Sequence, residues 1–158
     1  MARKKKVQVW LYRCTDDGLS YLLLKRPTDW HSGEAWQPVT GGVKKGEAPL
    51  AGARREVAEE TGLTELGDAL DTELACLFAK KEKKYQEYIF AFSADQGEVE
   101  LSSEHAAYAW LDYEVAMSRM HYAANRAGMA AVHALLNQPA WSRDRSRDYY
   151  QAAKTVRK

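Results

Sequence analysis

Hydrophobic and polar residues alternate along several short stretches of the chain, and this is the period of a half-buried β-strand. Residues 7–14 (VQVWLYRC) combine a rough alternation with β-branched and aromatic side chains, and a turn signal (TDDG) follows at residues 15–18. We expect strands over residues 7–14, 21–24, 36–39, 74–78, 85–92 and 107–111. The strand at residues 85–92 is expected in the interior of its sheet.

Two longer stretches have the composition of helices. A helix is predicted over Pro49–Thr61, because strong helix formers follow Pro49 in the first turn and Gly62 stands just past the end. Residues 121–136 (HYAANRAGMAAVHALL) are alanine-rich and amphipathic, and they predict a second helix. This order of strands and helices indicates an α/β protein with a mixed sheet flanked by helices.

The length and composition suit one globular domain. The chain has 158 residues, of which 46% are hydrophobic and 28% charged. We expect a single domain over residues 1–158, in which residues 139–158 form a polar tail. No apolar run approaches about 18 residues, and the basic start lacks a signal-peptide core, so we expect no membrane span. Cys14 and Cys76 are too few for a disulfide framework, which favours reduced thiols in a cytoplasmic protein.

The formal net charge of +1 conceals an uneven distribution. Residues 3–6 carry four positive charges and residues 143–158 a net of +4, which leaves −7 for the span between them. An acidic body between basic ends argues against an extended nucleic-acid surface. It also raises the question of what a concentration of carboxylates would bind.

The helix predicted at Pro49–Thr61 carries three carboxylates on one face, because Glu56, Glu59 and Glu60 stand at positions i, i+3 and i+4. On an exposed helix their mutual repulsion costs about a few tenths of a kcal/mol per pair. A divalent cation such as Mg²⁺ or Mn²⁺ would remove this repulsion, since such ions prefer hard oxygen ligands. Taken alone, a solvated acidic face explains the pattern equally well.

The segment GGVKKGEAPLAGARREVAEETGL, at residues 41–63, resembles the Nudix box. Gly41, Glu47 and the run at residues 55–63 (REVAEETGL) fill every fixed position of that motif. The resemblance implies the Nudix fold, which is an α/β/α sandwich with a mixed β-sheet and a loop–helix–loop around the box. It also implies hydrolysis of a nucleoside diphosphate linked to another group.

The resemblance assigns roles to residues of the box. Glu56, Glu59 and Glu60 would hold Mg²⁺ or Mn²⁺, and the metal would neutralise phosphate oxygens and lower the pKa of the attacking water. Arg55 would orient a glutamate through a charge-assisted hydrogen bond, and Glu47 would support the loop. The base that accepts the proton of the water stays open between a box glutamate and a carboxylate from a later loop.

A second run, EHAAYAWL at residues 104–111, is similar to a Glu-His-x-x-Tyr-x-Trp-Leu pattern of many Nudix enzymes. There the glutamate approaches the metal, so the resemblance implies Glu104 as a further metal ligand or base. Glu104 joins Glu59 and Arg55 as the expected catalytic set. His105 is a weaker candidate for a hydrogen bond to substrate or loop, since a lone histidine is more often structural.

Residues 36–41 (WQPVTG) resemble the branch of the family that releases pyrophosphate from dihydroneopterin triphosphate or dATP. The resemblance implies a nucleoside or pterin triphosphate substrate, with Thr40 and Gly41 at the mouth of the site. Trp36 is a candidate for stacking on the heterocycle. Residues 29–34, just before it, look like an insertion and leave the identity of the base open.

Lys25 and Arg26, at the end of the second predicted strand, suit contacts with phosphate, although a solvated strand end explains them equally well. The expected partner is this small-molecule substrate, and the protein is expected to be a monomer or a homodimer.

Three other functions are alternatives to this one. Diadenosine polyphosphate hydrolases share the run at residues 104–111, but usually have Pro-Lys-Gly where this chain has Val-Thr-Gly at residues 39–41. RNA 5′-end pyrophosphohydrolases usually have a Phe-Pro-Gln-Gly approach and a more basic surface. A nucleotide-binding module without turnover generally loses box glutamates, and all of them are present here.

Overall fold

A computed structural model describes residues 2–27 and 36–138 of the chain. The residues expected as an insertion (29–34) and as a polar tail (139–158) lie outside the described residues. The elements in chain order are β1 (Lys4–Thr15), β2 (Gly18–Lys25), β3 (Trp36–Gln37), β4 (Val39–Gly42), α1 (Pro49–Thr61), β5 (Ala69–Lys80), β6 (Lys83–Ser93), β7 (Ala107–Asp112), α2 (Tyr113–Arg119) and α3 (Ala123–Leu136). The described part of the chain contains no helix with the length and hydropathy needed to cross a bilayer.

The seven strands form one mixed sheet organised around β1. β1 pairs in parallel with β6 and antiparallel with β2 and with β4. β3 and β7 extend the sheet from β2, and β5 extends it from β6. β6 therefore lies between β1 and β5, so the interior position expected for residues 85–92 is confirmed.

Helices cover both faces of this sheet. Successive side chains of β1 point to opposite sides, so this strand contributes to a hydrophobic core on each face. Val7 and Val9 belong to the cluster of buried residues that contains Val57 of α1. Trp10 belongs to a second cluster, which contains Met129 and Val132 of α3. The expected α/β/α sandwich with a mixed sheet is confirmed.

The helix predicted at Pro49–Thr61 has the predicted bounds. It ends at Gly62, which adopts the left-handed conformation with φ 73° and donates its N–H to the Ala58 carbonyl. The second predicted helix begins at Ala123, two residues later than expected.

Three parts of the fold differ from the prediction. Residues 36–39 divide around Pro38 into β3 and β4, because proline has no N–H to donate to a sheet. β5 begins at Ala69, ahead of the predicted start at residue 74, and its register shifts between Asp71 and Ala75. α2 was not predicted.

Candidate active site

A surface cavity of about 400 Å³ lies where α1, β4 and the loop before β7 meet. The three segments contribute three residues each: Thr40, Gly41, Gly42; Glu56, Glu59, Glu60; and Ser102, Ser103, Glu104. The cavity therefore brings together the four glutamates that were expected to bind metal. Thr40 and Gly41, expected at the mouth of the site, also line it.

Hydrogen bonds between backbones attach the loop before β7 to the carboxyl end of α1. The N–H of Glu100 donates to the Thr61 carbonyl at 2.8 Å, and the N–H of Ser102 donates to the Glu60 carbonyl at 3.3 Å. The Ser102 side chain in turn accepts from the N–H of Glu104 at 3.3 Å. These bonds position Glu104 beside the glutamates of α1 although more than forty residues separate them.

Arg55 is the centre of a polar network behind the cavity. Its Nε and Nη2 donate to the two carboxylate oxygens of Glu47 at 2.8 and 2.9 Å, which is a bidentate ion pair. Its Nη1 donates to Glu56 at 3.0 Å and to Glu59 at 3.2 Å, and Nη2 also donates to the Gly42 carbonyl at 2.8 Å. Arg55 therefore holds two of the glutamates in the cavity and ties both to the preceding loop.

The pKa values of Glu47 and Glu56, both bonded to Arg55, shift in opposite directions. The hydrogen bonds from Arg55 and from the N–H of Lys44 lower the pKa of Glu47 to about 2. Burial raises the pKa of the Glu56 carboxyl, although its hydrogen bond from Arg55 opposes the shift. The charged Glu59 and Glu60 nearby add to the increase.

Gly41 leaves room for the Glu56 carboxylate. Its pairing with Val7 holds it against α1, and a Cβ at this position would overlap Cδ and both carboxylate oxygens of Glu56. The neighbouring Gly42 has open space, with no heavy atom within 4 Å of such a Cβ. Glu56 can therefore occupy its position only while residue 41 has no side chain.

His105 lies beneath the cavity, in contact with Glu60. Its Nδ1 is 2.8 Å from Glu60 Oε2, and both side chains are buried. Neither atom has a partner in hydrogen-bond geometry among the described residues, so the contact is close but poorly directed. The structure places His105 behind a glutamate of the box and outside the lining of the cavity.

Three residues expected to bind substrate lie outside the lining of the cavity: Lys25, Arg26 and Trp36. Trp36 is only 7% exposed and packs into the core that contains α3, with the Arg119 guanidinium 5.7 Å from its ring centroid. Lys25 ends β2, where its carbonyl accepts from the N–H of Ala106.

A family model described as the NUDIX domain matches residues 3–132, which is most of the chain. The chain belongs to the Nudix hydrolase family. Its fold agrees with this, because a solved structure of a Nudix hydrolase from Listeria monocytogenes superposes on 85% of its length with a TM-score of 0.73.

Among curated proteins, the Nudix chain is 30% identical over 122 residues to the asymmetrical bis(5′-nucleosyl)-tetraphosphatase of Mus musculus, covering 75% of this chain and 81% of that protein. It is also 30% identical over 113 residues, 64% of its length, to an octanoyltransferase of Myxococcus xanthus, of which it spans only 28%.

Two solved structures are similar at 25% identity. One is a C. elegans Ap4A hydrolase in a binary complex, with a TM-score of 0.72 over 84% of this chain and 97% of that chain. The other is the E. coli dihydroneopterin triphosphate pyrophosphohydrolase, with a TM-score of 0.67 over 82% and 95%.

Nudix hydrolases generally use divalent metal ions such as Mg²⁺, and the donors in the cavity fit such an ion. Carboxylate oxygens are the hard ligands that Mg²⁺ and Mn²⁺ prefer, and four glutamates line the cavity. Within residues 2–27 and 36–138, no three acidic, histidine or cysteine side chains converge closely enough for a preformed metal site. Glu56 and Glu59 are instead directed to Arg55.

Sequence reasoning missed two serines of the Nudix cavity, Ser102 and Ser103. Their only signal was a position directly before Glu104, and hydroxyl groups in a loop carry no periodic pattern. The number of partners of Arg55 was also missed, since the motif implied one glutamate and the structure shows three.

Proposed function

We propose that this Nudix hydrolase is a Mg²⁺- or Mn²⁺-dependent pyrophosphohydrolase that cleaves a phosphoanhydride bond of a nucleoside or pterin triphosphate and releases pyrophosphate. The observation that carries the proposal is that Glu56, Glu59, Glu60 and Glu104 line one cavity. Four carboxylates around one cavity repel one another unless cations neutralise them. A triphosphate brings the same need for divalent cations, since its own charge is negative.

The proposal gives each part of the site a role. The four glutamates would hold the metal, which supplies Lewis-acid polarisation of phosphorus and a lowered pKa for bound water. Arg55 positions Glu56 and Glu59 through its hydrogen bonds. Glu59 and Glu104 are the candidate proton acceptors, because both line the cavity and Glu59 is more than half exposed.

The substrate class rests on the approach to the box. Residues 36–41 (WQPVTG) resemble those of dihydroneopterin triphosphate pyrophosphohydrolases, and two of them, Thr40 and Gly41, line the cavity. The Thr40 hydroxyl and those of Ser102 and Ser103 offer neutral donors to phosphate oxygens. Similarity to the E. coli enzyme of that name supports this choice.

A second candidate substrate is a diadenosine polyphosphate. The 30% identity to a bis(5′-nucleosyl)-tetraphosphatase, over 75% of the chain, supports it, as does the similarity to an Ap4A hydrolase structure. The same cavity would serve either reaction, because both cleave a phosphoanhydride next to bound metal.

The test is hydrolysis by the full chain with Mg²⁺ of dihydroneopterin triphosphate, dATP and diadenosine tetraphosphate, with the products separated by chromatography. Release of pyrophosphate from a triphosphate supports the first candidate, and AMP with ATP from diadenosine tetraphosphate supports the second. Glu60→Gln should lower kcat by about a hundredfold or more with Tm retained, whereas the exposed Glu98→Gln should retain activity. No turnover of any substrate, with Mn²⁺ shown to bind, would refute the proposal.

A further inference from the structure

Two lysine-rich runs that lie far apart in the sequence meet at one end of the sheet. β1 begins with Lys4-Lys5-Lys6, and the turn between β5 and β6 reads Lys80-Lys81-Glu82-Lys83-Lys84. The parallel register places Lys4 beside Tyr85, so the first residues of β1 lie next to the tip of the β5–β6 hairpin.

Six side chains share one face at this end of the sheet. Phe78 is paired with Tyr85 and Lys80 with Lys83, and residues two apart on a strand point to the same side. Lys4 and Lys6 join them through their register with Tyr85 and Glu87. We call the six residues the hairpin platform: Lys4, Lys6, Phe78, Lys80, Lys83 and Tyr85.

The platform lies on the face that carries α3, opposite α1 and the catalytic cavity. Gln8, two residues after Lys6, donates to Glu87 at 2.8 Å and to the Ala124 carbonyl of α3 at 3.2 Å. Cys76, two residues before Phe78, contacts the same carbonyl. Burial then decreases toward the hairpin tip, where Lys80 is exposed.

The centre of the platform is aromatic. The rings of Phe78 and Tyr85 stack with centroids 5.2 Å apart and an interplanar angle of 22°. The Lys6 ammonium lies 5.7 Å from the Tyr85 centroid. Tyr85 has Phe78 against one face and the Lys6 ammonium over the other, so a further ring can join the stack at Phe78, which lies on the edge strand β5. Both rings are half-buried.

The border of the platform carries charge of one sign. Lys80 lies directly across from Lys83, and like charges in this position are unfavourable for sheet pairing. Lys4, Lys80 and Lys83 are exposed, and none of them forms an ion pair with a carboxylate in the described residues. Solvated surfaces usually intersperse both signs, so this arrangement indicates an anionic partner.

We propose that the hairpin platform binds single-stranded nucleic acid. A base would stack on the outer face of Phe78, and the phosphates would contact Lys4, Lys80 and Lys83. Only two of the six platform side chains, Phe78 and Tyr85, are not lysines, which favours this partner over an anionic membrane, whose binding needs a larger apolar surface. The total charge of −7 between the basic ends conceals the platform because it averages over the hairpin lysines.

The first test is fluorescence anisotropy of the full chain with a labelled oligouridylate of about twelve nucleotides at several salt concentrations. The triple variant Lys4→Gln/Lys80→Gln/Lys83→Gln is expected to bind at least about tenfold more weakly, with the salt slope reduced by about two. The control Arg143→Gln/Arg145→Gln/Arg147→Gln changes the net charge equally and should stay within about twofold of the unmodified chain. Equal weakening by both variants would overturn the proposal.

The second test separates stacking from charge. Phe78→Leu keeps an apolar side chain but removes the ring, and should weaken binding by about fivefold or more with the salt slope unchanged. The proposal would be contradicted if the chain bound a duplex of equal length as tightly as the single strand. It would also be contradicted if the chain bound phosphatidylserine vesicles but did not bind the oligonucleotide. All variants should retain the hydrolytic activity of the unmodified chain, since the cavity lies on the other face, and thermal unfolding should show each of them folded at the assay temperature.

Discussion

Gly41 lies against the carboxylate of Glu56, and the two residues cannot both carry a full side chain in this arrangement. The contact joins β4 to α1 across the cavity. Gly41 does not have the positive φ that requires glycine elsewhere in the chain, so the reason for glycine here is space. Replacing Gly41 therefore tests the position of Glu56 without disturbing the backbone.

Gly41→Ala is expected to displace Glu56 and to lower kcat by about a hundredfold, because a Cβ would overlap the carboxylate. The matched control is Gly42→Ala, which adds a methyl group into open space one residue away and should keep kcat within about threefold. Steady-state kinetics with Mg²⁺ on the best substrate would measure both. Equal activities of the two variants would show that Glu56 does not need its present position.

Glu104→Gln is expected to lower kcat by about a hundredfold or more while the fold is retained, since it removes a proton acceptor and a metal ligand together. The control Glu100→Gln changes an exposed residue of the same loop that does not line the cavity. Isothermal titration with Mn²⁺ would show whether the loss lies in metal affinity. Full activity of Glu104→Gln would remove Glu104 from the catalytic set.

Glu47 should stabilise the fold in a pH-dependent way. Its pKa falls from 4.5 to about 2 through its bonds with Arg55, so its stabilisation is fully present above pH 4.5 and is lost as the pH falls toward about 2. Urea unfolding should find Glu47→Gln less stable than the unmodified chain at about pH 7, with a difference that disappears in acid. A difference that is constant with pH would contradict this, and exposed Glu98→Gln serves as the control.

Glu87 should show the opposite dependence. It is 4% exposed, and burial raises the pKa of its carboxyl although Gln8 donates to it. A raised pKa in the folded state means that stability is greatest below 4.5, the ordinary pKa of a glutamate, and decreases as the pH rises through the folded value. Glu87→Gln is expected to raise Tm by about a few degrees at neutral pH.

The gain in Tm from Glu87→Gln should shrink in acid, where the carboxyl of the unmodified chain is protonated. Thermal unfolding followed by circular dichroism over a pH series would measure this, with the exposed Glu82→Gln of the same hairpin as control. A lower Tm for Glu87→Gln at neutral pH would show that the charged form is needed at this position.

Local signals explain which elements were predictable. The bounds of α1 depend on Pro49 in the first turn and on Gly62 at the carboxyl end, and both act within a few residues. α2 was missed although Asp112 caps it by accepting from the N–H of Val115 at 2.9 Å. Seven residues directly after a strand are too few for a helical period to be recognised, so a cap is the remaining signal.

The sequence alone determined that Glu56, Glu59 and Glu60 share one helix, because they belong to one short motif whose helix forms from local preferences. Tertiary structure decided what joins that helix. The pairing of β4 with β1 sets Gly41 against Glu56, and hydrogen bonds from Glu100 and Ser102 bring Glu104 to the same cavity.

The hairpin platform also combines features that the sequence shows with features that only the tertiary structure decides. The lysine runs are visible in the sequence, but the parallel pairing of β1 with β6 puts Lys4 beside Tyr85. Strand order and register depend on burying both faces of the sheet at once, which is a property of the whole chain. For that reason residue types and spacing could identify the glutamates of the box, whereas only the packed sheet could show which distant residues accompany them.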